Sequence, residues 1–479
     1  MSDLSALEPR QVFHFFREIC AIPHGSGNTK AISDYLVAFA KERSLSCIQD
    51  KLNNVLIFAP ASQGYEDHPP VIVQGHMDMV CAKDPDSTHD FETDGLELRT
   101  DGKFLYANGT TLGGDDGIAV AYALALLDSK DIPHPPLEVV ITVDEETGMY
   151  GAAGVDLSML KGRMLLNIDS EEEGIFTVAC AGGCRSTLRL PLERRAVYGP
   201  CIELRIEGLR GGHSGMEINR NRCNANKAMG ELLSRIQEKV RLCLTSLTGG
   251  SADNAISFSA RAKAVAMSMD LEPINEIVEQ FQAEIRREYD EPNAQIIASN
   301  VDALGGNALT AQSTSQVVAL LCAAPNGVQA MCAAMPELVQ TSLNLGVMAI
   351  EGDWLRLTFS VRSSVNEEKQ ALLEKLRQLA QFHGAQYSQT GDYPAWEYKE
   401  DSVLRPVLVE VYREMFRKEP QVVSIHAGLE CGLLGEKLPG LDSVSLGPNM
   451  YDIHTSREKL DIASAQRTWE FLLAVLKKL

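Results

Sequence analysis

PVIVQGHMDMV, residues 70–80, is the stretch on which the reading of this chain turns. Its first half, PVIVQG, is an apolar run with a single polar residue, Gln74, before Gly75, without the polar alternation of a half-exposed strand. Such a run reads as a strand buried on both faces, which is the habit of parallel sheets covered by helices on either side. Its second half is His76-Met-Asp78. In extended backbone, positions i and i+2 point to the same side, so an imidazole and a carboxylate can share one pocket at a strand end. A surface-loop histidine beside a chance aspartate is the alternative reading of this pair alone.

Outward from that strand, helical and strand-like patterns alternate through the first 180 residues. Pro9–Cys20 and Thr29–Glu42 carry apolar residues at helical spacing, and Gly117–Leu127 reads as an Ala-rich helix. Asn53–Phe58, LEVVITV at 137–143 and MLLNI at 164–168 read as further strands. After about Ala181 the style changes. Cys201–Gly208, Ile256–Met267 and Trp354–Arg362 (WLRLTFSVR) look like longer alternating strands. Asn224–Val240, Pro273–Tyr289 and Glu367–His383 read as amphipathic helices. That pattern is an α+β layer with helices on one face of an antiparallel sheet. From about Ala395 the α/β style returns, with helices at 403–417 and 463–478 and strands at Val422–Ile425 and Leu441–Leu446. The expected architecture is therefore two-domain. Residues 1–182 and 395–479 form an α/β domain with a mixed, mostly parallel sheet, and residues 183–394 form an inserted α+β lid domain.

Bulk properties bound the function. At 479 residues and 52.4 kDa the chain has room for two or three domains. Acidic residues outnumber basic ones, 65 to 44, for a net charge of -21. This argues against nucleic acid or an anionic membrane as partner, since both need basic patches. The eleven cysteines include no CxxC pair and do not read as a disulfide framework. There is no apolar run of signal-peptide length at the N-terminus and none long enough to span a bilayer. The expectation is a reduced, soluble, cytoplasmic protein.

Chemistry gathers at strand ends, where open α/β sheets place their ligands. His76 and Asp78 follow the first buried strand. Gly113-Gly114-Asp115-Asp116-Gly117 opens the Ala-rich helix. A Gly-rich turn onto a helix can bind phosphate, but the Lys-Ser/Thr of a P-loop is missing and two aspartates would repel it. One aspartate could be an N-cap; the second is then free for another role. Asp144-Glu145-Glu146 follows LEVVITV, and three adjacent carboxylates stand at mutual cost unless a cation is near. Asp169 is the first polar residue after MLLNI; the Glu171–Glu173 run beside it reads as a solvated loop. His454 lies a short loop beyond LDSVSLGP. Each feature alone has a bland structural reading. Together, two histidines and several carboxylates make an N/O set suited to zinc or a similar divalent ion. One bridging carboxylate, with one His and one carboxylate per metal, leaves an open position for a shared water. Two ions ~3.5–4 Å apart lower that water's pKa and polarise a substrate carbonyl.

These residues bring out a resemblance. Over essentially its whole length the chain resembles the co-catalytic zinc peptidases that include carboxypeptidase G, peptidase T, aminoacylases and carnosinase. The stretches that carry it are QGHMDMV (74–80), GTTLGGDDGIA (109–119), NIDSEEEG (167–174), LRGGHSGMEI (209–218), AAPNGV (323–328) and IHAGLECGL (425–433). The last three are more particular to the branch that cleaves Xaa-His dipeptides. The resemblance implies that His76 and Asp169 bind one zinc, Glu146 and His454 the other, and that Asp115 bridges them. Asp78 would orient His76, and Glu145 would be the general base. In that branch Pro precedes the last metal-binding His and Ser-Pro follows it; here the segment reads DIHTSRE. His213, in GGHSG, falls on the family's oxyanion-stabilising His, and domain closure is expected to bring it to the metals. Asn254 matches an Asn used near substrate. The family's carboxylate-binding Arg is missing from AVAMSMD; Arg362, in FSVRSS, is the candidate in its place, and a sheet-edge surface Arg is its alternative reading. Gly428, with Glu430, matches a strand end that faces the site in relatives.

The resulting expectation is a metallodipeptidase with two divalent ions per chain, zinc or else manganese or cobalt, acting on a small peptide of the Xaa-His type. Another hydrolase on the same scaffold, a tripeptidase or an N-acyl amino acid deacylase, is the first rival. A non-catalytic metal- or peptide-binding protein is the second, and the presence of Glu145 argues against it. Family members are often homodimers through the lid; no surface stripe in this sequence decides that point.

Overall fold

The computed structural model describes residues 6–289, 291–332 and 338–479. The chain divides into two compact units. The first runs to Ala179 and returns over Tyr398–Ser424 and Leu429–Leu479; the second comprises Cys180–Glu397 and Ile425–Gly428.

The first unit is built on an eight-stranded sheet. Its order is Ser46–Gln49, Val55–Ala59, Leu137–Thr142, Val71–His76, Met164–Asn167, Asp442–Ser445, Ile175–Cys180, Gln421–Ile425. The sheet is mixed. The central strands 137–142, 71–76, 164–167 and 442–445 run parallel, and the strands at 46–49 and 55–59 pair antiparallel. Every residue of Val71–His76 and Leu137–Thr142 is buried, the polar Gln74, His76, Glu138 and Thr142 among them. Gly114–Asp128 lies against the 71–76 strand, and Arg10–Cys20 lies against that helix. Because residues 114–127 are buried without exception, the helix is Ala-rich all round rather than amphipathic.

Register places the chemistry. His76 stands opposite Thr142, Gln74 opposite Asn167, and Ser445 opposite Asn167. The carboxyl ends of the parallel strands are thus level, and the segments that follow them, 76–78, 144–146 and 169, leave from one edge. A second, four-stranded antiparallel sheet joins Met450–Tyr451, Lys459–Asp461, Phe104–Ala107 and Leu98–Thr100. His454 lies in the hairpin loop between its first two strands.

The second unit holds a nine-stranded sheet whose resolved pairings are all antiparallel. Trp354–Ser363 shows the alternating burial of a sheet with one face on the core. The apolar faces of Ala225–Gln237, Glu272–Glu288, Ala311–Ala323 and Asn366–Phe382 share that core.

Three details differ from the sequence expectation. The strand expected over Ile256–Met267 is two strands, Ala255–Ile256 and Ala260–Ala266, because Ser257 turns its carbonyl to Ala225 N–H at the start of a helix. Ile425–Gly428 belongs to the second unit, although the sequence placed it with the chain end in the first. Its backbone accounts for this: Ile425 O accepts the Ala181 N–H at 3.1 Å, and a Cβ on Gly428 would lie 2.7 Å from the Tyr393 ring. The long strand Gln295–Leu309 was not anticipated at all.

Candidate metal centre

The strand ends of the first unit converge on one cluster. Buried His76 closes its strand, with Nδ1 3.0 Å from the backbone oxygen of Asp78 and 3.4 Å from Asp78 Oδ1. Asp78 is itself pinned: Oδ2 accepts from Ser26 Oγ at 2.8 Å, and Oδ1 accepts from Glu145 N at 3.1 Å. This one carboxylate therefore ties the 76–78 segment to the 144–146 turn. The ring's other nitrogen, Nε2, lies 3.3 Å from Asp115 Oδ1 and 3.6 Å from Asp169 Oδ1. His454 Nε2 stands 3.1 Å from the other oxygen of Asp115 and 3.0 Å from Glu146 Oε1. Each oxygen of Asp115 thus faces a different imidazole. Asp115 and Asp116 both leave helical geometry, and their side chains turn to His76 and His454 rather than to the amides of the helix. Asp116, fully buried, accepts the His76 N–H through Oδ2 at 3.2 Å and leaves Oδ1 without a hydrogen-bond partner.

The electrostatics are those of a cation site. Six carboxylates (Asp78, Asp115, Asp116, Glu145, Glu146 and Asp169) surround two imidazoles. Asp115 and Glu146 push His454 up to about 10. His76 is also raised well above the ordinary histidine value: burial opposes this, and Asp115, Asp169 and Asp78 override it. Burial pushes Asp169 up to about 7 and lifts Glu145 well above the carboxylate range.

A divalent ion fits these donors. With Nδ1–H engaged by Asp78, His76 turns Nε2 towards two carboxylate oxygens, a place held by the ring's own second proton or by a metal ion that replaces it. Two ligands each 2.0–2.2 Å from a tetrahedral ion stand roughly 3.3–3.6 Å apart. The observed contacts span 3.0–3.6 Å. Three triplets bring ligand atoms within 4.8 Å of one another: His76/Asp116/Asp169, His76/Glu145/Glu146 and Asp115/Glu146/His454.

Beneath the cluster lies Glu430, which the motif reading placed with Gly428 at a strand end facing the site; its side chain is bonded into the strands. Buried Glu430, at the start of the Glu430–Lys437 helix, accepts from Gln74 Nε2 at 2.5 Å and Thr142 Oγ1 at 2.6 Å, and Gln74 Oε1 accepts from Asn167 Nδ2 at 2.6 Å. Gln74 and Asn167 each lie two residues before a site residue, so this polar layer fixes the register of the strands that end in the cluster.

The second unit gathers the other sequence-predicted residues. Gly212–His213 pairs with Ala255–Ile256, and Asn254, exposed, takes the Ser214 N–H on its carbonyl at 2.8 Å. His213 Nδ1 accepts from the backbone N–H of Gly215 (3.3 Å) and Met216 (3.2 Å), which leaves the proton of the neutral ring on Nε2. Arg362, at the end of its strand, donates to Tyr393 Oη at 3.4 Å, and the same Tyr393 ring lies over Gly428. The motif reading gave no role to His426 or Tyr393. Buried His426 contacts Ser342 Oγ through Nε2 at 2.7 Å. His426 was visible inside IHAGLECGL, but only as one letter of a motif; nothing in the sequence announces Ser342 as its partner.

The strand-end cluster on a mixed α/β sheet, joined in sequence to an antiparallel α+β unit, is the arrangement of a metallopeptidase. Residues 72–478 match the model of peptidase family M20/M25/M40, and the chain belongs to that family. It is 36% identical over 483 residues to the cytosol non-specific dipeptidase of Escherichia coli (strain K12), across 100% of this chain and 99% of that protein. The crystal structure of aminoacylhistidine dipeptidase from Vibrio alginolyticus superposes with a TM-score of 0.93 at 36% identity, covering 100% of this chain and 98% of that one. Aminopeptidase PepT from Bacillus cereus ATCC 10987 shares the fold, with a TM-score of 0.58 at 15% identity over 98% of this chain and 99% of its own. The two-domain α/β reading and the metallopeptidase class stand on these comparisons. Among the described residues no helix is long and apolar enough to cross a membrane.

Proposed function

We propose that this chain is a di-metal dipeptidase of the cytosol whose substrates include Xaa-His dipeptides. The observation that carries the metal part is Asp115, whose two oxygens each face a different imidazole with a further carboxylate beside it. In this reading His76 and Asp169 would hold one ion and Glu146 and His454 the other, with Asp115 available to both. When bound, the two ions supply an acidified water and a polarised substrate carbonyl. The full-length likeness to proteins named as dipeptidases supports the substrate class, and the cytosol location follows the name of one of them.

The chain's own residues then divide the work. Glu145 takes the water proton on its carboxylate and returns it to the leaving amine. Burial lifts its carboxyl well above the ordinary carboxylate range, the direction that helps a group hold a proton before handing it on. Asp78 holds the His76 ring through its Nδ1 edge, so that Nε2 keeps its lone pair for the ligand position. His213, with its proton on Nε2, is the donor assigned to the developing oxyanion. Arg362 offers a guanidinium fork to the substrate carboxylate, and Asn254 and Gly428 border the peptide.

Hydrolysis of a panel of Xaa-His dipeptides, other dipeptides, tripeptides and N-acyl amino acids, with and without chelator, tests the reading. Chelator-sensitive cleavage of the dipeptides supports it. Cleavage of N-acyl amino acids or tripeptides with β-Ala-His and Gly-His left intact would sink it in favour of another hydrolase on this scaffold.

A further inference from the structure

The glycine pair before Asp115 has a purpose that the ligand assignment does not explain. The backbone N–H groups of Leu112, Gly113, Gly114 and Asp115 all point at one carboxylate, that of Glu458. Oε2 accepts from Leu112 at 2.9 Å and Gly113 at 3.3 Å, and Oε1 from Gly114 at 2.8 Å and Asp115 at 3.4 Å. Glu458 is buried. The turn is therefore an anion nest at a helix start, of the type that elsewhere holds phosphate, and here the anion is part of the chain. Glycine makes the approach possible. Gly113 has φ 66°, and a Cβ on Gly114 would lie 3.2 Å from Glu458 Oε1 and 3.1 Å from Met450 Sδ. Glu458 also closes the hairpin loop that carries His454, its own N–H bonding to Thr455 O at 3.1 Å. One side chain thus joins the turn that presents Asp115 to the loop that presents His454. Deleting it would leave four buried N–H groups without an acceptor, each a costly vacancy.

We propose that Glu458 is the positioning residue of the centre: by holding the 112–115 amides from the His454 loop, it fixes Asp115 and His454 relative to one another. The proposal rests on the reading of those two residues as metal ligands. Substitution at Glu458 therefore weakens metal binding without removing any ligand.

The test is a Co2+ titration of chelator-treated full-length protein, followed by the visible absorption of the bound ion. Glu458→Gln places an amide N–H2 against two of the backbone donors. It is expected to keep the far-UV circular dichroism of the wild type but to need about 10–100-fold more Co2+ for half-saturation. Its band shape should change, and activity should partly return at saturating Co2+. Glu138→Gln is the reference for a merely structural role. Glu138 is a buried carboxylate of the same unit that accepts the Lys161 (2.8 Å) and Gly162 (2.9 Å) N–H groups. That variant should lower the melting temperature and leave the Co2+ curve in place. Should Glu458→Gln not fold, Glu458→Asp, which keeps the charge but withdraws it by one methylene, is titrated in its stead. Wild-type affinity and band shape in the Glu458 variant, or equal weakening in Glu138→Gln, overturns the proposal. Asp115→Ala separates the two readings. If it also binds two ions with wild-type affinity, the ligand assignment falls and the positioning role falls with it. If it loses metal while the Glu458 variant does not, only the positioning role falls.

Discussion

Each unit of this protein holds a pair of histidines, and the two pairs live in opposite electrostatic worlds. In the first unit His76 and His454 face carboxylates, which push His454 up to about 10 and raise His76 despite its burial. In the second, burial lowers His213 and Arg362 adds to the effect. His426 falls to about 4 under burial, Arg362 and His213. The same side chain is thus set up to share a cation in one place and to stay neutral beside an arginine in the other. A neutral imidazole can offer one N–H without bringing charge, while an imidazole beside carboxylates gives its proton to solvent when another cation takes the proton's place or when the pH rises past its raised value. The difference is what the proposed function uses: metal chemistry in the first unit and the handling of anionic substrate groups in the second.

Four experiments would break or sharpen that contrast. The largest effect is expected from metal removal: chelation should abolish hydrolysis, and Zn2+, Mn2+ or Co2+ should restore it, as read by initial rates on Gly-His. Residual turnover in metal-free protein would deny the first unit its role. Next, Glu145→Gln should lower kcat by about 10²–10⁴-fold while elemental analysis still finds two ions per chain; full activity would remove the general-base assignment. Third, Arg362→Ala should raise KM about 10–100-fold, the scale of one charge-assisted hydrogen bond, with kcat changed less. Arg362→Lys should recover little of it, since the planar fork is gone. Dipeptide amides, which lack the carboxylate, should be insensitive to either change.

The smallest effect concerns stability against pH. Above pH 6.5 His426 is neutral in both folded and unfolded chains and contributes no pH dependence. Between pH 6.5 and about 4 the unfolded chain binds a proton that the folded chain refuses, so stability falls as the pH drops through that window. The loss approaches roughly 3 kcal/mol at the low end. His426→Gln should flatten this part of the curve of melting temperature against pH relative to wild type. An unchanged slope would mean that His426 is not held neutral in the fold.

Much of the first unit could be read from the chain alone. Val71–His76, Leu137–Thr142 and Met164–Asn167 are visible because strands buried on both faces are mostly apolar and lack the alternation of a half-exposed strand. The first polar residues after them are visible for the same reason. Gln295–Leu309 was not legible, because QIIASNVDALGGNAL has neither alternation nor an unbroken apolar run. It is a strand because Arg194–Glu207 and the helix Glu272–Glu288 lie against it. Glu458 was passed over, and Glu430 was named only beside Gly428 as a substrate contact, for a different reason. A lone glutamate in a loop or at a helix start is ordinary, and these two become significant only through partners more than 280 residues away in sequence.

Taken by itself, the amino-acid order determined which groups could act: imidazoles and carboxylates at the ends of buried strands, and glycines where a turn had to admit another chain segment. Tertiary structure alone decided which oxygen of Asp115 meets which ring, since His76 and His454 reach it from 39 and 339 residues away. It alone seated Glu458 in the 112–115 nest. The physical reason is common to both cases. Burial and neighbouring charge set what a titratable or polar side chain does, and both come from segments that the local sequence does not contain.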